Sequence, residues 1–193
     1  MPRHKEFNPD QALDSAMETF WEQGYEATSV QDLVDRMGIN RFSLYETFGS
    51  KHDLFLKALE RYGEQMGSSV LADLVGSGEG IASIRAYFTY LVDHLASPAG
   101  RKACLMVNSM AELAGEDRAV RSRCMLNVKN LESALQVAVE RAQSLGEIDR
   151  DRDARALAEY LATNAFGLNV LAKADRRRDR LARHAELVIG TLH

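Results

Sequence analysis

Residues Thr28–Lys51 read TSVQDLVDRMGINRFSLYETFGSK, and this stretch decides the fold. Val30, Leu33, Val34 and Met37 fall on one face of a helix that a Thr28/Gln31 capping box opens. Gly38 stops it, because glycine enters the left-handed conformation without steric cost. Asn40 caps a second helix running to about Glu46, with Ile39, Leu44 and Phe48 as core anchors; Ser50 and Asp53 then form the box of a third. A helix, a glycine turn and a second short helix make a helix-turn-helix. The second helix has the size to enter a DNA major groove.

Upstream, Asn8-Pro9-Asp10-Gln11 places a cap, a proline at the first helical position and a capping-box Gln. The amphipathic helix that follows carries Ala12, Leu13, Ala16, Met17 and Phe20 and ends at Gly24. Downstream, the helix opened at Ser50 presents Leu54, Phe55, Ala58, Leu59 and Tyr62. Gly76-Ser77-Gly78-Glu79-Gly80 reads as a flexible break, and Ile81, Ile84, Phe88, Leu91 and Leu95 resume the helical spacing. After a joint at Pro98 and Gly100, a helix is expected over roughly Ala99–Ala114, then a longer one bearing Val128, Leu131, Leu135, Ala138, Ala142 and Leu145. Two more follow, one from Ala154 to Leu171 and one from Leu181 to Leu192. No segment alternates as a strand. The reading is all-α, about nine helices: a three-helix helix-turn-helix DNA-binding domain at 1–49 and a bundle of longer helices at 50–193.

Charge argues both ways. The chain carries −4 at neutral pH. Residues 1–52 hold five basic side chains (Arg3, Lys5, Arg36, Arg41, Lys51) against nine acids, so this is no basic domain. Between Arg36 and Lys51, however, three basic residues face one acid, which makes the reading segment locally positive. Useful affinity then calls for two such faces.

Other functions find little support. There is no GxGxxG, P-loop, GxSxG or HExxH pattern, and the Gly76–Gly80 run lacks the strand that a dinucleotide fingerprint needs. His4, His52, His94, His184 and His193 show no ligand spacing, and Cys104 and Cys124 form no CxxC motif. The expectation is a protein without catalytic activity, cofactor or metal. No apolar run approaches a membrane span and the first residues lack a signal-peptide core, so a soluble cytoplasmic protein with reduced cysteines is expected.

The runs GYEATSV and DLVDRMGINRFSLYETFGSKHDLF resemble the N-terminal domain of the tetracycline-repressor (TetR/AcrR) family of bacterial transcription regulators. Gly24-Tyr25, Thr28, Gly38, Leu44-Tyr45, Phe48, Lys51 and Leu54-Phe55 carry the resemblance over some fifty of the 193 residues. Phe42 departs from it, standing where the family usually has a small residue. It can meet thymine methyls or sugar carbons, or shift the helix in the groove. Glu46 departs as well; it either turns from phosphate or accepts from cytosine N4.

A double-stranded operator would then be held by Thr28, Asn40, Arg41, Phe42, Ser43, Tyr45, Thr47 and Lys51. Arg41 can reach guanine or a phosphate. Asn40 and Ser43 sit at a helix N-terminus that favours phosphate, while Thr28, Tyr45, Thr47 and Lys51 hold the backbone.

For the bundle at 50–193 the resemblance implies an effector-binding and dimerisation domain. Cys104-Leu105-Met106-Val107-Asn108 is similar to a segment of family members that sense electrophiles or small toxic compounds. Cys104 is either a sensor beside the ligand, with Asn108 orienting it one turn later, or a small core hydrophobe. Phe88 and Phe166 are further candidates for the wall of the site. The small and branched residues of the last two helices suit a homodimer interface, which the resemblance also places there. The implied function is a repressor released from a palindromic operator by a small hydrophobic or electrophilic effector. The alternative is a constitutive DNA-bound adaptor without an effector.

Overall fold

The computed structural model describes residues 7–67, 71–76 and 80–192. Within them the chain forms α1 (Pro9–Gln23), α2 (Val30–Met37), α3 (Arg41–Phe48), α4 (Lys51–Met66), α5 (Ala72–Gly76) and α6 (Gly80–Ala96). A 3-10 turn, Ala99–Lys102, precedes α7 (Leu105–Leu113), α8 (Arg118–Ser144), α9 (Ala154–Ala174) and α10 (Arg178–Gly190). The described residues contain no strand, and the fold is all-α as expected. The helix beyond the expected nine is the five-residue α5. Residues 77–79 of the expected break, and His4 and His193, lie outside the described residues.

Helix caps follow the local chemistry. Asn8 accepts from the Asp10 and Gln11 N–H groups at 2.9 and 3.3 Å, with Pro9 at the start of α1. Ser50 and Asp53 form the expected reciprocal box at α4. The box at α2 stands one residue later than expected: Ser29 is the cap, with Asp32 as its partner. Thr28 cannot serve, because its side chain is fully buried and its hydroxyl donates to the Gly24 carbonyl at 2.6 Å. Sequence spacing alone does not say which of two adjacent hydroxyl residues turns inward.

The helix expected over Ala99–Ala114 is broken. Ala103 adopts φ 54°, unusual for a residue with a Cβ, and separates the 3-10 turn from α7. Helix α8 in turn begins at Arg118, well before Val128. Asp117 caps it by accepting from the Ala119 and Val120 N–H groups, while Arg121 closes the Ala114 and Gly115 carbonyls left by α7.

Packing divides the chain into two units: residues up to Glu64 together with Asn108–Cys124, and Gln65–Val107 together with Met125–His193. The expected line after residue 49 follows helix length; packing instead keeps most of α4 and the α7–α8 corner with the helix-turn-helix. The first unit closes around Phe20, Leu33, Leu44, Leu54 and Phe55, with Phe20–Phe55 and Tyr25–Phe55 ring centroids 4.9 Å apart. The second packs α6, α9 and α10 around Phe88, Leu95, Leu135, Leu161, Leu168 and Leu181.

Candidate nucleic-acid interface

Helix α3 is eight residues, about 12 Å of rise. Leu44 and Phe48 bury one side of it; Arg41, Phe42, Tyr45 and Glu46 stand exposed on the other. Phe42 is 74% exposed and Tyr45 51%, a large apolar area left in water on a helix otherwise docked by its core anchors. Asn40, an exposed residue, accepts from the Ser43 N–H at 2.9 Å, so its carbonyl oxygen fixes the helix start and its amide nitrogen is a donor. Ser43 is half-buried at the same end.

Arg41 does not hang free. Its guanidinium donates to Gln31 Oε1 at 3.0 Å, and Gln31 Nε2 donates to Asp35 at 2.8 Å. Asp35 as carboxylate only accepts and Arg41 only donates, so the orientation of the Gln31 amide between them is settled by chemistry. Gln31, read from the sequence as a capping residue, thus links α2 to the leading residue of α3. Lys51 lies with its ammonium 4.2 Å from the centre of the Tyr25 ring, a cation–π contact that holds the charge at the start of α4.

Two expected contacts are not presented. Thr28 is turned into the core, as described, and the Thr47 hydroxyl is enclosed without a hydrogen-bond partner. The exposed hydroxyl at the head of α2 belongs to Ser29, which sequence reading passed over. Its bond to Asp32 at 2.6 Å holds that carboxyl below its ordinary range, as Ser50 does for Asp53.

Several acids in and next to this segment have partners within the fold. Asp14 pairs with Arg61 at 2.9 Å and Glu22 with Arg36 at 3.3 Å; Asp32 and Asp53 cap helices, and Asp35 holds Gln31. Glu46 is the acid left exposed on α3 itself. The other arginine cluster, Arg176–Arg178, is tied elsewhere: Arg176 to the Ser97 carbonyl, Arg177 to Asp175 and Arg178 to Asp93. Asp175, holding Arg177 and Arg180, sits well below the usual carboxylate range.

Two carboxylates missed in the sequence act on the helix-turn-helix from the α7–α8 corner. Glu112 accepts from the Tyr25 and Glu26 N–H groups at 3.1 and 2.8 Å. Asp117 lies 2.6 Å from His52 Nε2 on the first turn of α4. Hydrogen bonds from the Val120 N–H and from His52 hold the Asp117 carboxyl low. Neither contact is visible locally: Asp117 reads at most as a cap for α8, and the partners on the helix-turn-helix lie more than sixty residues away.

The expected effector residues are distributed over the two units, whose division falls within α7. Phe88 is fully enclosed in the core of the second unit and Phe166 packs partly buried against the same cluster. Cys104 is half-buried in that unit too, close enough to Tyr87 that it adds to burial in raising the Tyr87 phenol. Asn108, half-buried, falls in the first unit. Among the described residues no cluster of His, Cys, Asp or Glu can hold a metal, and no helix is long and apolar enough to cross a membrane.

A capped eight-residue helix with an exposed basic and aromatic face, set on a second short helix, defines a helix-turn-helix DNA-binding protein. Comparison with known proteins gives the family. Residues 12–58 match the bacterial regulatory proteins of the tetR family, and residues 80–188 match the tetracyclin repressor-like C-terminal domain. The Bacillus subtilis HTH-type transcriptional regulator YezE is 38% identical over 193 residues, 100% of each chain. The Escherichia coli HTH-type transcriptional repressor ComR is 31% identical over 93% of this chain and 86% of its own. A cysteine-substituted form of the TetR-family regulator CifR, solved on a 26-base-pair operator, superposes with a TM-score of 0.87 at 32% identity, covering 99% and 100% of the two chains. The chain belongs to the tetR family. It is a DNA-binding transcriptional regulator rather than an enzyme.

Proposed function

We propose that the protein is a cytoplasmic repressor that grips a palindromic operator as a homodimer and lets go when a small hydrophobic or electrophilic molecule enters its C-terminal bundle. One observation carries the DNA half of this reading: Phe42 and Tyr45 stand in water beside Arg41 on a helix capped and anchored from behind. In this reading Arg41 takes guanine, Phe42 takes a thymine methyl or sugar, and Asn40, Ser43, Tyr45 and Lys51 hold phosphates. Ser29 replaces Thr28 among the phosphate contacts, and Thr47 drops out because its hydroxyl is enclosed.

The dimer rests on the last two helices. Tyr160, Thr163, Gly167 and Val170 form an exposed stripe at spacings of three and four on α9, and α10 leaves Leu187 73% exposed. Small and apolar residues together suit close helix packing between two copies. Two reading helices about 34–36 Å apart would then enter successive major grooves. That ComR is named a repressor and that CifR was solved on operator DNA support the sign and the partner.

Effector release needs only about 1–3 kcal/mol of coupling per site. Cys104, half-buried beside Tyr87, supports a thiol-reactive or hydrophobic effector. The test is footprinting on the upstream region of the gene with light scattering of the complex, followed by a thermal-shift and release screen with such compounds on wild type and Cys104→Ala. Binding by monomers, or no protected duplex, defeats the repressor reading. A DNA-binding dimer that no compound releases is the adaptor instead.

A further inference from the structure

The α2–α3 pair is bracketed from both of its sequence ends by one short piece of chain. Before α2, the turn at Gly24 presents two consecutive N–H groups, those of Tyr25 and Glu26, to the two oxygens of the Glu112 carboxylate. Gly24 takes φ +83°, which favours glycine, and a Cβ there would crowd Glu112 Oε2 at 3.0 Å. The turn has no slack downstream. The Thr28 N–H reaches the Tyr25 carbonyl at 3.3 Å, its hydroxyl the Gly24 carbonyl at 2.6 Å, and Ser29 already caps α2. After α3, Asp117 holds His52 next to Lys51.

The piece of chain that makes both grips is itself stiff. Arg121 closes the Ala114 and Gly115 carbonyls just after α7 at 2.6 and 2.8 Å, and Asp117 caps α8 as it holds His52. The Tyr25 and Glu26 N–H groups are at the surface, where water satisfies donors well, so the Glu112 bonds do little for stability. What they fix is position. Helix α7 begins at Leu105 in the second unit, so the helix that carries Glu112 starts among residues of the effector unit.

We infer that Glu112 is a positioning residue for operator reading: through the Gly24–Glu26 turn it aims the α2–α3 pair from the α7–α8 corner, with Asp117 holding the opposite end. The inference rests on the two-half-site reading above. Its test uses a palindromic duplex selected by the wild-type protein from a randomised pool, together with versions carrying one base pair added or removed at the centre. Glu112→Ala should bind the selected duplex about tenfold less tightly, the low end of one misplaced base contact. It should also discriminate less between the three spacings, and leave binding to non-operator DNA unchanged. Glu112→Gln, which keeps one acceptor oxygen, should fall between. A Glu112→Ala protein that loses the same factor on every duplex has only a smaller folded fraction, and that result overturns the inference, as does unchanged affinity. If wild type itself ignores spacing, the two-half-site reading fails and takes this one with it; if wild type discriminates and Glu112→Ala discriminates equally, only the inference fails.

Discussion

In the first unit, the helix-turn-helix is set by polar bonds at helix ends: Ser29 with Asp32, Asn40 with the Ser43 N–H, Ser50 with Asp53, Glu112 with the Gly24–Glu26 turn. In the second, long helices bury a continuous apolar cluster from Leu74 to Leu192, and its ion pairs, Arg85–Glu186 and Arg178–Asp93, are exposed additions of small worth. The difference teaches how each unit should fail. Polar bonds at helix ends define direction, so damage to them misdirects a reading helix that stays folded. An apolar core is close-packed, so damage to it costs stability first.

The largest effect should therefore come from the core. Phe88 is fully enclosed on α6 and meets Tyr87 edge to face at 5.4 Å. Phe88→Ala should remove about 3–5 kcal/mol from unfolding free energy, measured by denaturant titration. A loss below about 1 kcal/mol would mean that the site tolerates a void, and would revive Phe88 as the wall of a ligand cavity rather than core.

On the reading face the same experiment should show almost nothing, and the loss appears in binding. Arg41→Ala should lower discrimination at one base pair by about 1–3 kcal/mol and leave the unfolding midpoint in place. Lys51→Ala should weaken every duplex alike and reduce the salt slope of binding by about 1. Gln31→Ala should resemble Arg41→Ala in kind but be smaller, because it removes the amide that steers the guanidinium without removing the guanidinium. Competition binding on single-base operator variants separates these outcomes; identical profiles for Arg41→Ala and Lys51→Ala would cancel the division between base and phosphate contacts.

The fold was legible because it is written locally. The periodic apolar residues of α1 to α4, the glycine at Gly38 and the caps at Asn8, Asn40 and Ser50 all act within four residues of themselves, which is the range a sequence displays. The reading helix was legible for the same reason. What escaped were choices made by tertiary packing. Thr28 and Ser29 are chemically near-equivalent, and only burial sends one inward and leaves the other as cap. The break at Ala103 lies in a segment with ordinary helical residues. Glu112 and Asp117 look like solvated acids until the chain brings Tyr25 and His52 to them. The segment's net acidity argued against DNA binding, and a count of charges could not show that Glu22 is held by Arg36 and that Arg61, from outside the segment, pairs with Asp14.

The smallest effect is a pH dependence that should belong to the second unit. His94 on α6 is half-buried and stacks on Tyr90 with centroids 6.0 Å apart, and burial lowers its pKa from the ordinary 6.5. A lowered folded pKa means that the unfolded chain takes up the proton first as pH falls. Its share of stability is thus complete above about 6.5 and is lost progressively below, toward the folded value. The depressed carboxyls Asp32, Asp53, Asp117 and Asp175 have ordinary values of 3.8, so their contributions change only in stronger acid. Between pH 7.5 and 5.5, in the working range around that ordinary value, the thermal midpoint should decline in wild type and decline less steeply in His94→Gln. The same slope in both proteins would remove His94 as its source. A decline in operator affinity over that range in His94→Gln, with the slope of the midpoint now reduced, would locate the pH response in the first unit and so break the contrast between a unit that loses aim and a unit that loses stability.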